Sequence, residues 1–187
     1  MIKFNILTVS KIIGFMLLLS MKSYAVPQDS IYQLKNNWLN QDGKTLTLGS
    51  FNGKKQLVSL IYTHCLHTCP TIVSTMQAIE SNLTEDEKQN VGFILVSLTP
   101  TTDTPEVLRE FAQSRKLNLD KWSLLTGTPE DVRTLAMVLN IKFQDMDDNE
   151  VNHSNLITAL DDEGRIRFQE IGVLSNVAKT TDKLNTF

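Results

Sequence analysis

The chain has little of what would tie it to nucleic acid. Among its 187 residues 18 Lys and Arg stand against 21 Asp and Glu, a formal charge of −3, so the basic stripe by which proteins track phosphates is missing. Eight glycines and five prolines are too few for a collagen-like or linker-like chain, and no segment recurs at the period of about 20–50 residues that marks solenoids. No Ser-His-Asp motif and no glycine-rich phosphate loop is present. Past the N-terminus, no apolar run approaches the roughly 20 residues needed to cross a bilayer. There are only two cysteines, and the prolines lie at 27, 70, 100, 105 and 129, with none beyond. What the chain does have is 41% hydrophobic residues, enough for one core in one domain.

The first 25 residues read as a secretory signal peptide. Lys3 and Lys11 precede the apolar stretch Ile12 to Met21, and Ser23-Tyr24-Ala25 puts small residues at the −3 and −1 positions of a cut after Ala25. Retained, the segment would be an N-terminal anchor; in either case the remainder is expected outside the cytoplasm, in the periplasm or its equivalent. Cleavage removes Lys3, Lys11 and Lys22 and no acid, leaving 15 basic against 21 acidic residues and a charge of −6. The expected organisation is a signal over 1–25 and one domain over 26–187.

Within that domain, turn signals at Gln41-Asp42-Gly43-Lys44 and Phe51-Asn52-Gly53-Lys54 predict a short peripheral hairpin around Thr45 to Leu48. Gln56 to Tyr62 is a nearly continuous apolar strand, and Ile72, Val73, Met76, Ile79 and Leu83 recur at helical spacing after Pro70. A second buried strand, Val91 to Leu98, leads to a helix opened by Thr104-Pro105-Glu106. A third, Trp122 to Thr126, leads to a helix opened by Thr128-Pro129-Glu130-Asp131. Asn155 to Leu160 and Arg165 to Ile171 then form a hairpin around Asp161-Asp162-Glu163-Gly164, and a last helix holds Val177, Ala178, Thr181 and Leu184. A strand running into a cysteine loop and helix, βαβ crossovers and a closing hairpin with a helix predict an α/β thioredoxin-like fold: a central mixed sheet flanked by helices, with an N-terminal hairpin extension.

The two cysteines, Cys65 and Cys69, sit where the first core strand becomes a helix. A disulfide across so short a loop would constrain the unfolded chain by about 2 kcal/mol, against about 5 for a loop of about 100 residues, so the thiols point to chemistry rather than to stapling. Helix-end N–H groups and the helix dipole favour thiolate there. Disulfide oxidoreductases of this architecture use C-x-x-C, whereas here Leu66, His67 and Thr68 intervene. Two soft thiolates with one imidazole can hold copper as Cu(I) or Cu(II). Of the three histidines, His64 points away from Cys65 in an extended segment, and His67 lies within reach of an ion with nothing to fix its direction. His153, at Asn152-His153-Ser154, enters the hairpin strand that pairs beside the cysteine strand, in the slot where oxidoreductases of this architecture carry a cis-proline. No proline is available to fill it.

At these residues the chain resembles the SCO/SenC family of copper-handling proteins. The landmarks are Gly53-Lys54, Tyr62-Thr63-His64-Cys65 through Cys69-Pro70, Asp103-Thr104-Pro105-Glu106 and His153-Ser154, in that order and over nearly the whole mature chain. The resemblance implies that Cys65, Cys69 and His153 bind copper and that Asp103 supports the site. It also implies that the protein delivers copper to, or keeps reduced the thiols of, the binuclear copper site of cytochrome c oxidase subunit II. Copper and that acceptor are the expected partners, with no nucleic acid and with membrane contact only through the acceptor or a retained anchor. The chain departs from the family at Thr99, where an aspartate is common before the proline, in the extra His67, and in a cleavable signal that implies a diffusible form. The alternative is a thiol-disulfide oxidoreductase in which Cys65 and Cys69 are the catalytic pair and reduce an exported target.

Other signals are weaker. Asp145, Asp147, Asp148 and Glu150 crowd one loop, but Glu150 and Leu156 stand where an EF-hand needs glycine and glutamate, so a solvated acidic loop is expected, one that could attract a cation beside His153. Met76 and Met137 are expected in the core, and Met146 is a weak auxiliary ligand candidate. A structural zinc would need a fourth protein ligand, and none is evident.

Overall fold

A computed structural model describes residues 26–64, 68–145 and 151–187. The residues expected to form the signal, together with Cys65, Leu66, His67 and the acidic segment 146–150 with Met146, lie outside the described residues.

Seven strands form one mixed sheet. In chain order they are β1 (Trp38–Asn40), β2 (Thr45–Leu46), β3 (Lys55–Ile61), β4 (Val91–Ser97), β5 (Trp122–Thr126), β8 (Leu156–Leu160) and β9 (Ile166–Ile171), arranged β2-β1-β5-β4-β3-β8-β9. A separate two-stranded sheet joins β6 (Phe143–Asp145) to β7 (Val151–His153). The helices are α1 (Thr68–Asn82), α2 (Glu85–Asn90), α3 (Pro105–Ser114), α4 (Pro129–Val138) and α5 (Val177–Leu184). Strands β3, β4 and β5 run parallel, and β8 runs antiparallel to β3. This is the expected thioredoxin-like arrangement.

The central strands explain why the sheet is covered on both faces. Every residue of β3 from Gln56 to Ile61 is buried, and in β4 only Gly92 is less than fully so, the unbroken pattern of parallel strands between two layers. Helix α1 supplies one cover by burying Ile72, Val73, Met76 and Ile79 over β3 and β8 and against α5. Helix α3 packs on β5. Phe93 and Trp122, paired across β4 and β5, stack with centroids 4.7 Å apart. The threonines before α3 and α4 cap as the sequence predicts: Thr104 Oγ1 accepts from the Val107 N–H, and Thr128 forms a capping box with Asp131. In the β8–β9 turn Gly164 sits at φ +79°, where a Cβ would also strike the Tyr32 ring and the Ser30 hydroxyl.

Two local expectations need correction, and α2, β6 and β7 add to the elements expected. The N-terminal hairpin is not peripheral, because β1 pairs with β5 and extends the main sheet while Trp38 is 1% exposed. Helix α2, over Glu85–Asn90, lies outside the elements the sequence predicts, because it buries no residue and so carries no apolar period. Strands β6 and β7, which flank the acidic segment, pair with each other, while the expected loop between them lies outside the described residues. Met76 is in the core, but Met137 is 75% exposed on α4.

Candidate metal centre

Parallel pairing of β3 with β4 decides where the candidate residues meet. The register sets Ile61 opposite Ser97, and the Leu98 N–H donates to the Ile61 carbonyl at 2.7 Å. The segments leaving both strands therefore run side by side over the carboxyl end of the sheet, the edge at which open α/β sheets present their sites. Asp103 locks them together. Its carboxylate, 0% exposed, accepts from the Thr63 N–H (3.2 Å), the Thr63 hydroxyl (2.6 Å), the Ser97 hydroxyl (2.7 Å) and the Thr99 hydroxyl (3.1 Å). A buried carboxylate is tolerated only when hydrogen bonds replace its water, and here four donors do so. Thr99, the departure from the family pattern, is one of them. The residue two before Cys65 is thus held by a group forty positions away in sequence.

His153 reaches the same end of the sheet by another route. It closes β7 opposite Phe143, the Ser154 N–H donates to the Lys142 carbonyl (2.8 Å), and the chain then enters β8. Strand β8 lies against β3, where the Ser59 hydroxyl donates to the Leu156 carbonyl at 2.8 Å. The outcome is a ring contact: the His153 imidazole meets the buried Tyr62 ring edge-on, centroids 6.2 Å apart at 79°. Tyr62 is three residues before Cys65. The His153 Nδ1 lies 3.2 Å from the Ser154 carbonyl oxygen, which can only accept, so Nδ1 carries the proton and Nε2 keeps its lone pair. Burial lowers the pKa of this imidazole, against the opposing pull of the Ser154 carbonyl, so the ring is held in the neutral form that ligates metal.

Cys69 is the second residue of α1; its side chain is not described, and Cys65 and His67 lie outside the described residues. His64 is exposed, with Nδ1 3.1 Å from the Thr63 hydroxyl. Among the described residues no three His, Cys, Asp or Glu side chains gather as a metal site. Of the three expected ligands, only the His153 side chain lies among the described residues. The Ser97 and Thr99 donors to Asp103 and the Tyr62–His153 contact escape sequence reading, because each depends on strand register rather than on spacing along the chain.

These features define a class: a thioredoxin-like protein with a cysteine in the first turn of the helix after β3 and a histidine, not a cis-proline, just ahead of the strand that pairs beside β3. Comparison with known proteins narrows it. The SCO1/SenC family profile matches residues 27–186, and the chain belongs to that family. It is 36% identical over 88 residues, 47% of its own length, to the SCO1 protein homolog of Bacillus subtilis, and spans 45% of that relative. Among solved structures it is similar to BsSco, described as having a disulfide switch and as a member of the Sco family of cytochrome c oxidase assembly proteins. The TM-score is 0.68 at 25% identity over 81% of this chain and 91% of that one. It shares its fold with copper-bound ScoI of Arabidopsis thaliana, with a TM-score of 0.70 at 19% identity over 81% and 97% of the two chains.

Proposed function

We propose that this protein carries copper to the binuclear copper site of cytochrome c oxidase subunit II, or assists assembly of that site, with Cys65, Cys69 and His153 holding the ion as cargo. The observation that carries this reading is the edge-on packing of His153 on Tyr62, at 6.2 Å, beside the segment that leads into Cys65. Two thiolates favour Cu(I), and the imidazole extends the site to Cu(II). Membership of a family with copper-bound and oxidase-assembly members supports the cargo and the destination. The protein acts after export directed by residues 1–25, in the periplasm or an equivalent compartment. Among the described residues no helix is long and apolar enough to cross a membrane.

Cu(I) titration of the reduced protein under anaerobic conditions tests the reading. Binding should saturate at about one equivalent, and Cu(II) loading should give a sulfur-to-copper charge-transfer band. Cys65→Ser and Cys69→Ser should each abolish tight binding, and His153→Ala should remove the band. Binding that survives loss of either cysteine refutes it. The disulfide switch attributed to BsSco favours a second reading, in which the same cysteines reduce a disulfide in an exported target. Turnover of a disulfide substrate that survives His153→Ala but not Cys65→Ala would distinguish it.

A further inference from the structure

The end of the sheet opposite the candidate metal centre carries a second concavity. Where β3, β4 and β5 begin, a cleft of about 460 Å³ opens between α2, the segment before β5 and the turn that ends at Phe51, a volume within the range of small-molecule sites. Its floor depends on the glycine at the second position of β4. Gly92 lies opposite Gln56 in the register, and a Cβ there would collide with the Gln56 amide. That amide instead lies along the floor, 3% exposed, with Nε2 donating to the Phe51 carbonyl at 3.3 Å and to the Lys54 carbonyl at 3.4 Å. Its Oε1 is thereby turned toward Gly92. The half-buried Ser123 also lines the cleft, and its hydroxyl makes no hydrogen bond among the described residues.

Charge decides what such a cleft holds. Lys54, Lys88 and Lys121 line it against one acid, the exposed Asp120, in a chain whose formal charge is −3. Lys88 is engaged by Glu85 at 2.7 Å. Lys54 and Lys121 enter no ion pair among the described residues, and Lys121 acts on Glu85 only through its longer-range field. Cations gathered round one concavity repel each other, and an anion seated among them relieves that repulsion. We propose that this cleft binds the phosphate group of a small phosphorylated polyol. The Lys54 and Lys121 ammonium groups donate to the phosphate oxygens, Gln56 Oε1 accepts from a ligand hydroxyl, and the Ser123 hydroxyl serves as donor or acceptor beside it. A soluble phosphomonoester and the headgroup of an anionic phospholipid share this chemistry. The inference is independent of the copper reading, because the cleft occupies the amino ends of strands whose carboxyl ends carry the candidate metal centre.

Amide 15N–1H correlation spectra of the metal-free protein, titrated with glycerol 3-phosphate, read the site directly. Saturable shifts should centre on Asn52, Gly92, Lys121 and Ser123, weaken as salt is raised, and be absent when glycerol replaces the phosphate ester. Lys54→Gln combined with Lys121→Gln should weaken binding about tenfold and leave the urea midpoint where it is in the wild type. Co-sedimentation with phosphatidylglycerol vesicles, against phosphatidylcholine vesicles, assigns the source. Protein that follows the anionic vesicles and is released by the double substitution uses the cleft for a lipid headgroup; protein that stays in solution while glycerol 3-phosphate still titrates uses it for a soluble ligand. Both results uphold the proposal. No saturable shift at the four residues, or binding of either probe that the double substitution leaves unchanged, overturns it.

Discussion

Replacing Asp103 by alanine should cost about 3–5 kcal/mol of folding stability, and the reason is the inequality of its four donors. The hydroxyls of Thr63 and Thr99 belong to partly exposed residues and can turn toward water. The Thr63 N–H and the hydroxyl of fully buried Ser97 lose their acceptor outright. Each stranded buried donor costs about 1–3 kcal/mol, and the cavity left by the carboxylate adds to the sum. Asparagine behaves differently. Three donors converge on Oδ2 and one on Oδ1, so the amide oxygen can take the crowded side while its NH2 faces Thr63, whose hydroxyl reverses. Asp103→Asn should therefore cost only about 1–2 kcal/mol. At about 2–4 °C per kcal/mol for a chain of this size, the alanine variant should melt about 6–20 °C below the wild type and the asparagine variant about 2–8 °C below. Urea and thermal unfolding of reduced, metal-free protein, followed by circular dichroism, measure both. An alanine variant within about 1 kcal/mol of wild type, or an asparagine variant as unstable as alanine, would refute the donor accounting.

Three further perturbations test other parts of the fold. Gly172→Ala places a Cβ 2.4 Å from Asn155 Oδ1 and so disturbs the mutual Asn155–Gly172 hydrogen bonds; a loss of about 1–3 kcal/mol and weaker copper retention through the neighbouring His153 should appear in the same unfolding and chelator-competition assays. Met76→Ala should cost about 2–5 kcal/mol, whereas Met137→Ala, on an exposed face of α4, should stay within about 0.5 kcal/mol, as parallel urea titrations would record. Glu170 accepts from Lys183 and Lys179 of α5, and the Lys183 contact above all holds its carboxyl below the usual range despite burial. A depressed folded-state pKa contributes stability above the unfolded carboxylate value and loses it as pH falls through the folded value. Glu170→Gln should then cost about 1 kcal/mol at pH 7, the lysines being substantially exposed, and the difference from wild type should persist through the ordinary carboxylate range and close only below the depressed folded value, which a series of urea titrations down the acid range would show.

Where the chain signals through its own period or caps, reading it in one dimension suffices. Strands β3, β4 and β5 follow from unbroken apolar runs, and α3 and α4 from Thr-Pro-Glu starts that cap as expected. The capping box of α2, Thr84 with Glu87, is equally visible in the sequence, but no apolar face accompanies it because none of its residues is buried. Strands β6 and β7 have three residues each, too short for alternation to register, and their existence depends on pairing with each other. Met137 misled because a thioether at helical spacing looks the same on either side of the apolar stripe. In the proposed site, spacing points to Cys65 and Cys69 and the absence of a later proline points to His153, but neither discloses Ser97 or Thr99 as partners of Asp103.

That division has a physical origin that bears on how the site works. Its groups come from three chain segments, 62–69, 97–103 and 153–154, which the sheet joins through β3·β4 and β3·β8 pairing. Cys69 is fixed to the start of α1 and Asp103 is sealed beneath the loop that precedes Cys65, so one side of the centre is tied to the core. His153 instead closes a two-stranded sheet that is separate from the main one and meets the core through the Tyr62 ring and through β8. A carrier must retain its ion yet give it up. In the proposed site the one ligand whose side chain is described, His153, lies on a small sheet separate from the main one, so its position can change without unfolding β3 and β4, which favours reversible coordination over a closed structural metal centre.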